Sequence, residues 1–518
     1  MSLTALLDNA FSRYAGRIAL DDGRRRFTYR ELDRRTRRLG HALLALGLRP
    51  GDTIATVQHN SVEMVEFDLA AARFGLVRTL LNVRAPAADH TYCLEFGRVK
   101  ALVFEAALAP HIDALRPQLP GVEHWIAVGG PAPGWAHAYD DLLARASEAP
   151  PPAPPGLDDA HSLYFTSGTT GRPKGVVLAH RNWVSITTAH LLDAFPTASH
   201  EDTALLAAPL SHATGSLVLP HLARGARLYV IDHFDTERIL TLFATEGITA
   251  SFMAPTMIML LMQHAQRLDR AALRLKGLFY GGAPFPAERL AEALELFGPC
   301  FVQGYGQWEA PVAFIHLKPW EHVEALRHAP HRLQSAGKPG TFARVAVLDD
   351  DGNELPPGST GEIATAGEHL MVGYLDNPEA TAELRVGPWQ RTGDVGHIDG
   401  DGFVYITDRK KDMIITGGNN VYPRQVEEVL YEHPDVRELA VIGLPDPLWG
   451  ETVHVVVSAR EGRTFDPAAF LAWARDRLPT DRRPRSVDVV EELPKSHYGK
   501  ILRRELRDHY RRRRLEPV

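Results

Sequence analysis

Cysteine is nearly absent: Cys93 and Cys300 are the only two in 518 residues, far apart and in no CxxC or Cys/His spacing. That excludes a disulfide framework or a zinc site and fits a reducing compartment. Long apolar runs are missing as well. No uninterrupted stretch could span a bilayer, and the segment Met1 to Ala10 lacks a basic region followed by an apolar one. Neither a membrane span nor a secretory signal is read, and a cytoplasmic protein is expected. Positive charge is not in excess either, for the formal net charge is −7. That argues against a general nucleic-acid partner. The basic run Arg511 to Arg514 reads as a solvated tail, with an anionic surface contact as the minor alternative. No internal repeat is visible.

What is present describes an ordinary globular chain too long for one core. Hydrophobic residues make up 45% and charged residues 23%, so two or more domains are expected. Leu32, Leu39, Leu43 and Leu46 recur near helical spacing after Phe27-Thr28-Tyr29-Arg30-Glu31, until Arg49-Pro50-Gly51 stops the helix. Thr53 to Val57 and Ala101 to Phe104 read as buried strands. Strands alternating with helices predict an α/β fold with largely parallel sheets. Pro150, Pro151, Pro152, Pro154 and Pro155 form an extended spacer, either a domain linker or a surface connection within one domain. Two alternating segments between Val345 and Ala366 flank Asp350-Asp351-Gly352-Asn353, a hairpin signal whose aspartates do not match EF-hand positions. A second turn falls at Asp399-Gly400-Asp401-Gly402.

The sharpest chemical signal is Tyr164-Phe165-Thr166-Ser167-Gly168-Thr169-Thr170-Gly171-Arg172-Pro173-Lys174-Gly175, set between two strand-like segments. Its glycines let backbone N–H groups converge, while hydroxyls and the Lys174 ammonium add donors, the requirements of a polyphosphate. Pro173 and Gly175 flank the lysine where the Walker A pattern needs other residues.

This segment resembles the signature loop of the adenylate-forming (ANL) superfamily, which includes acyl-CoA synthetases, coumarate-CoA-type ligases, luciferase-like enzymes and peptide-synthetase adenylation domains. Further family-like pieces follow in order along nearly the whole chain. They are Gly281-Gly282-Ala283-Pro284, Gln303-Gly304-Tyr305-Gly306-Gln307-Trp308-Glu309, Thr392-Gly393-Asp394 and Asp408-Arg409-Lys410-Lys411-Asp412. Gly417-Gly418-Asn419-Asn420-Val421-Tyr422-Pro423 and Pro494-Lys495-Ser496-His497-Tyr498-Gly499-Lys500 complete the set. The resemblance implies a large domain over residues 1–408, with mostly parallel sheets and a small β-barrel-like part. It also implies a small mobile α+β domain over 409–518.

The implied reaction joins a hydrophobic acid, fatty or aromatic, to AMP and then passes the acyl group to the thiol of CoA. A carboxylate resists thiol attack because its oxygen leaves poorly; adenylation supplies the leaving group. Bringing that anion to the α-phosphate requires fixed donors, each worth ~3 kcal/mol when lost. By resemblance Lys500 bridges carboxylate and phosphate. Glu309, with the Thr166 hydroxyl, holds Mg²⁺ on the phosphates of ATP, a hard cation served by few protein ligands. Thr166, Ser167, Gly168, Thr169, Thr170, Gly171 and Lys174 surround the phosphates. Gly282, Ala283, Pro284, Gln303, Gly304, Tyr305, Gly306, Gln307 and Trp308 face the nucleotide, Tyr305 against adenine. Asp394 and Arg409 take the ribose hydroxyls, and His212 stands between acyl pocket and thiol tunnel. Lys411 is the hinge; Gly417 and Gly418 admit the pantetheine arm, and Trp449 stacks on the CoA adenine.

One position departs from the family. Where a threonine hydroxyl usually contacts the α-phosphate, this chain has Trp308, whose indole has one donor and no acceptor. Trp308 is expected to reshape the acyl or phosphate pocket or to weaken adenylation. Three alternatives stay open: loading of a separate carrier protein, a luciferase-like oxygenase, and a catalytically silent nucleotide or acyl-CoA sensor. The acid is not legible, and a homo-oligomer is left open.

Overall fold

The computed structural model describes residues 2–166, 173–264, 268, 270–495 and 501–515. It divides into two compact units. The first comprises Met1–Val345, Thr365–Gln390 and Gly402–Val404; the second comprises Ala346–Ala364, Arg391–Asp401 and Tyr405–Val518. The proline-rich spacer at 150–155 therefore lies inside the first unit, as a connection rather than a boundary.

Two large sheets form the first unit, one of eight strands and one of nine. In the eight-stranded sheet Ala160–Thr166, Val77–Leu81, Thr53–Val57, Val99–Glu105 and His124–Val128 are parallel neighbours, and Lys174–Ala179 adds antiparallel to Ala160–Thr166. In the nine-stranded sheet Arg227–Val230, Thr203–Leu206, Ala250–Met253, Gly277–Gly281 and Phe301–Gln307 run parallel. Ala310–Leu317 then returns antiparallel to Phe301–Gln307.

Period-two alternation explains why both sheets are covered on both faces. Ile54, Ala101 and Val103 enter one apolar cluster, while Ala55, Val57, Leu102 and Phe104 enter another. Likewise Ala204 and Leu206 face the first cluster, and Leu205 and Ala207 a third. The cluster common to both sheets holds a middle layer of helices. Helix Val62–Phe74 lies in that layer with all 13 of its residues buried. Its charged residues are paired, as burial demands. Glu66 accepts from Arg35 and, at 2.8 Å, from the Tyr139 hydroxyl; Asp68 pairs with Arg78; Arg73 reaches Asp33 at 2.8 Å.

The predicted leucine helix is Tyr29–Ala45, with Leu32, Leu39 and Leu43 buried. Thr28 and Glu31 close a capping box at its start, satisfying two backbone donors that the helix leaves free. A smaller five-stranded sheet contains Arg344–Leu348, Gly361–Ala366 and Trp389–Ile398, with Val404–Arg409 paired to Trp389–Ile398. Both turns read from the sequence fall between its strands. In the second unit Val436–Asp446 and Gly450–Ala459 form a long antiparallel pair covered by helices Pro423–Leu430 and Arg503–Leu515. Arg503 is tied to the buried carboxylate of Glu427, which fixes the start of the last helix. Among the described residues no helix is long and apolar enough to cross a membrane.

The first unit also buries several neutral imidazoles. Burial lowers His180, His316, His322 and His369 to about 4 and His190 to about 3. An unfolded chain takes up these protons near pH 6.5, whereas the folded chain resists until near pH 4. The unfolded state thus binds more protons in that window, and stability falls as pH drops through it. Each imidazole contributes roughly 1.4 kcal/mol per pH unit. We expect the melting temperature to fall steeply from pH 7 to pH 5; a flat profile over that range would contradict the assignment.

Candidate active site

The glycine-rich loop begins where strand Ala160–Thr166 ends and finishes where Lys174–Ala179 begins. Ser167, Gly168, Thr169, Thr170, Gly171 and Arg172 lie outside the described residues, as does Lys500. At the two stems, Thr166 and Pro173 flank the loop residues on either side. Thr166 pairs with Lys174 across the antiparallel ladder, and the Tyr92 hydroxyl donates to the Pro173 carbonyl at 3.0 Å.

Around these stems the chain gathers one carboxylate, two hydroxyls and one ammonium. The Tyr374 hydroxyl donates to Glu309 Oε1 at 2.9 Å, and Thr166 Oγ1 donates to the same oxygen at 3.4 Å. Lys174 Nζ lies 4.6 Å from the centre of the Tyr374 ring, a cation–π distance. Register explains the meeting. The short strand Gly373–Tyr374 pairs with Lys174–Ala179 so that Tyr374 sits opposite Val176, two residues along from Lys174 on the same face. The Glu309 carbonyl is fixed from Gln390 Nε2 at 2.7 Å and Met371 N at 3.1 Å. Tyr374 belongs to none of the motifs read from the sequence.

The adenine-facing segments implied by the resemblance occupy the C-terminal ends of adjacent parallel strands, where α/β folds place ligands. A Cβ at Gly281 would stand 2.3 Å from the Gly304 carbonyl oxygen, so close strand approach demands glycine there. Gly282 has φ +78° and turns the chain out, leaving Ala283 and Pro284 exposed before helix Ala287–Phe297. Gln303 Oε1 accepts from the Tyr280 hydroxyl at 3.1 Å. Tyr305 packs edge-on to Phe314 with ring centres 5.2 Å apart, and Phe314 stacks on His369. Gly306 is exposed, and Gln307 pairs with Ala310 to close a hairpin whose two turn residues are Trp308 and Glu309.

Trp308 lies flat on Tyr164, ring centres 3.5 Å apart and planes within 10°. The Tyr164 hydroxyl accepts from Arg78 Nη1 at 2.6 Å; Arg78 is fully buried, pairs with Asp68 and also lies over Trp183. Burial pushes the Tyr164 phenol up to about 12 although Arg78 opposes it.

His212 begins the tight turn Ala213–Leu217, its Nδ1 2.8 Å from Ser211 Oγ. Burial lowers this imidazole to about 4, so it is neutral at physiological pH and acts as a hydrogen-bonding group rather than a cation. The preceding loop is stitched by the buried Asn60 amide, which donates to Ala208 O at 2.9 Å and accepts from Leu210 N at 2.8 Å.

Within the second unit Asp394 is buried and pairs with Arg409 at 2.6 Å, so the two residues assigned to ribose adjoin one another. Thr392 orients that carboxylate's backbone: its hydroxyl donates to Ile363 O at 2.7 Å and accepts from Asp394 N at 3.1 Å. Lys411 is exposed, and its carbonyl accepts a long bond from Arg507. Gly417 donates to the Trp449 carbonyl at 2.8 Å, and a Cβ at Gly417 would meet the indole at 2.7 Å. Gly418, with φ +82°, continues the turn. Arg485, unread in the sequence, lies 4.4 Å from the Trp449 ring centre.

Known proteins resemble this chain over nearly its whole length. The family model of AMP-binding enzymes matches residues 7–375, and that of the AMP-binding enzyme C-terminal domain matches residues 425–500. A feruloyl-CoA synthase from Amycolatopsis sp is 36% identical over 498 residues, covering 95% of this chain and 96% of the relative. The medium/long-chain-fatty-acid–CoA ligase FadD8 of Mycobacterium tuberculosis is 34% identical over 511 residues, covering 96% and 88%. Among solved structures, ATP-bound MatB from Rhodopseudomonas palustris superposes with a TM-score of 0.87 at 29% identity, covering 99% of both chains. Motif order, paired parallel sheets and full-length similarity together place this chain in the AMP-binding enzyme family, as an acyl-CoA synthetase of the adenylate-forming superfamily.

Proposed function

We propose that the chain converts a hydrophobic carboxylic acid, fatty or aromatic, first to its acyl-AMP and then to its acyl-CoA, releasing pyrophosphate and AMP. The observation that carries this reading is the convergence of Glu309, Thr166, Tyr374 and Lys174 at the mouth of the glycine-rich loop. A carboxylate beside a hydroxyl is a hard oxygen donor set that fits Mg²⁺ held mainly by phosphates. Such an ion would offset charge on the phosphates; the protein supplies the rest. Lys174 and the loop donors grip the phosphates, Tyr374 holds the Glu309 carboxylate in one orientation, and Asp394 with Arg409 receives the ribose hydroxyls. Lys500 bridges the incoming carboxylate to the α-phosphate. The breadth of acid follows the relatives, one named for an aromatic acid and one for medium and long fatty acids.

For the second half-reaction we assign residues 409–518 as the part that reorients about Lys411, exchanging Lys500 for the Gly417–Gly418 turn. That turn presents no side chain to a pantetheine arm, and Trp449 offers an indole face to the adenine of CoA. His212, neutral and hydrogen-bonded to Ser211, stands at the acyl side without adding charge.

Two measurements test this reading. Pyrophosphate exchange across a panel of fatty and aromatic acids should depend on the acid, and CoA should then draw the adenylate to thioester. Exchange with no acid in the panel would favour the nucleotide-sensor alternative. In addition, Lys500→Ala should slow adenylation by roughly a hundredfold or more. Thioester formation from supplied acyl-AMP should stay near the parental rate. Equal loss of both steps in a folded variant would refute the two-state assignment.

A further inference from the structure

The hairpin turn at Trp308 and Glu309 joins two different sheets. Its strands, Phe301–Gln307 and Ala310–Leu317, belong to the nine-stranded sheet, whereas Tyr164 and Thr166 end a strand of the eight-stranded one. Tyr164 and Thr166 stand two apart on that strand and so share a face. Each receives one turn residue: Trp308 stacks on Tyr164, and the Glu309 carboxylate takes the Thr166 hydroxyl. These contacts are unequal. At 3.4 Å the Thr166 bond is at the outer edge of hydrogen bonding. The stack, by contrast, lays two large rings face to face in nearly full overlap.

Rings stacked face to face repel through their quadrupoles unless electron density is drawn from one of them. Arg78 supplies that pull. Its guanidinium lies 5.3 Å from the Tyr164 ring centre and donates to the phenol oxygen, depleting the ring that Trp308 covers. Arg78 cannot drift, because Asp68 on the buried middle helix holds it and Trp183 lies under it. Trp183 is itself pinned through Nε1 to Ser162 Oγ at 2.8 Å, on the same strand as Tyr164. The contacts among Trp308, Tyr164, Arg78 and Trp183 therefore link the hairpin tip, through Asp68, to the buried middle helix.

We propose that Trp308 is a positioning residue for ATP, clasping the adenine-facing strand to the strand that feeds the phosphate loop through its stack on Tyr164. The proposal rests on the acyl-CoA synthetase reading for the identity of the nucleotide. It assigns the tryptophan a task different from that of the hydroxyl it replaces. Lying flat on Tyr164, the indole fixes the spacing between the two halves of the nucleotide site. Tyr164 and Arg78 are the partners that make an aromatic residue workable there.

The test measures ATP affinity by calorimetry alongside KM for ATP and kcat in acid-dependent pyrophosphate exchange. Trp308→Leu and Trp308→Thr should each weaken ATP binding on the order of tenfold, the scale of losing an aromatic pair and its burial. Both should leave the melting temperature close to parental, since the site is a half-buried turn. Trp308→Phe, which keeps a ring, should restore most of the affinity. Tyr164→Leu should match Trp308→Leu, and the double variant should be no worse than either single one. Tyr164→Phe, which keeps the ring if the buried Leu variant fails to fold, should show a smaller loss that also vanishes in the Trp308→Leu background. Parental ATP affinity in Trp308→Leu, or additive losses in the double variants, would overturn the clasp while leaving the ligase reading intact. A parent that binds ATP yet exchanges pyrophosphate with no acid would instead overturn the ligase reading. The affinity comparison would then still decide the clasp.

Discussion

The site depends on one contact between layers: a two-residue turn, Trp308 and Glu309, resting on Tyr164 and Thr166 at the end of a strand in the other sheet. Parallel strands deliver their loops to a common end, so each sheet by itself offers a row of turns and no closed cleft. Joining a turn of one sheet to a strand end of the other brings a carboxylate, an ammonium and two hydroxyls into one place. Tyr374 tightens the group from a third direction, because its short strand pairs with the far stem of the same loop. Polyphosphate chemistry needs donors that do not have to reorganise when charge arrives, and rigid strand ends meet that need better than free loops.

Beneath the contact lies a core that is polar in a controlled way. A helix buried on every side carries Glu66, Asp68 and Arg73, each answered by an opposite charge. Such pairs add little net stability compared with apolar packing, because desolvation offsets their attraction, yet removing one partner is costly. Their consequence here is register. Asp68 pairs with Arg78, Arg78 donates to the Tyr164 hydroxyl, and Tyr164 carries the Trp308 ring of the hairpin. The buried imidazoles follow a different economy: kept neutral, they fill space with modest polarity and need no counter-charge. His316 and His161 bury both ring nitrogens without a hydrogen-bond partner, which only the uncharged form tolerates.

The second unit solves a related problem with arginine. Arg503 on Glu427, Arg507 on Asp412 and Arg511 on Glu451 bind one face of the terminal helix to the rest of the unit. The start of the basic tail is thus partly structural, since Arg511 is engaged in an ion pair. Arg409 similarly occupies Asp394, so each assigned ribose contact is held ready by the other.

Much of this was legible in the residues themselves. Alternation and leucine spacing predicted the strands at 53–57 and 101–104 and the helix through Leu32, Leu39 and Leu43, because local periodicity reports which face will be buried. That helix ends at Ala45, before the expected stop at Arg49-Pro50-Gly51. Glycine-rich motifs pointed to the loop stems and to the turns at Gly282 and Gly417, because a positive φ or a close backbone approach leaves few residue choices. The family could be named from motif order alone. What remained hidden was every partnership across layers. Tyr374 sits 65 residues from Glu309, Tyr164 lies 86 from Arg78, and Trp308 meets Tyr164 across two sheets. Linear patterning encodes the face a side chain presents, whereas the identity of the side chain opposite is decided only when separate sheets pack. For that reason Trp308 reads in sequence as a misplaced residue, and in the folded chain as the end of a series of aromatic and cationic contacts.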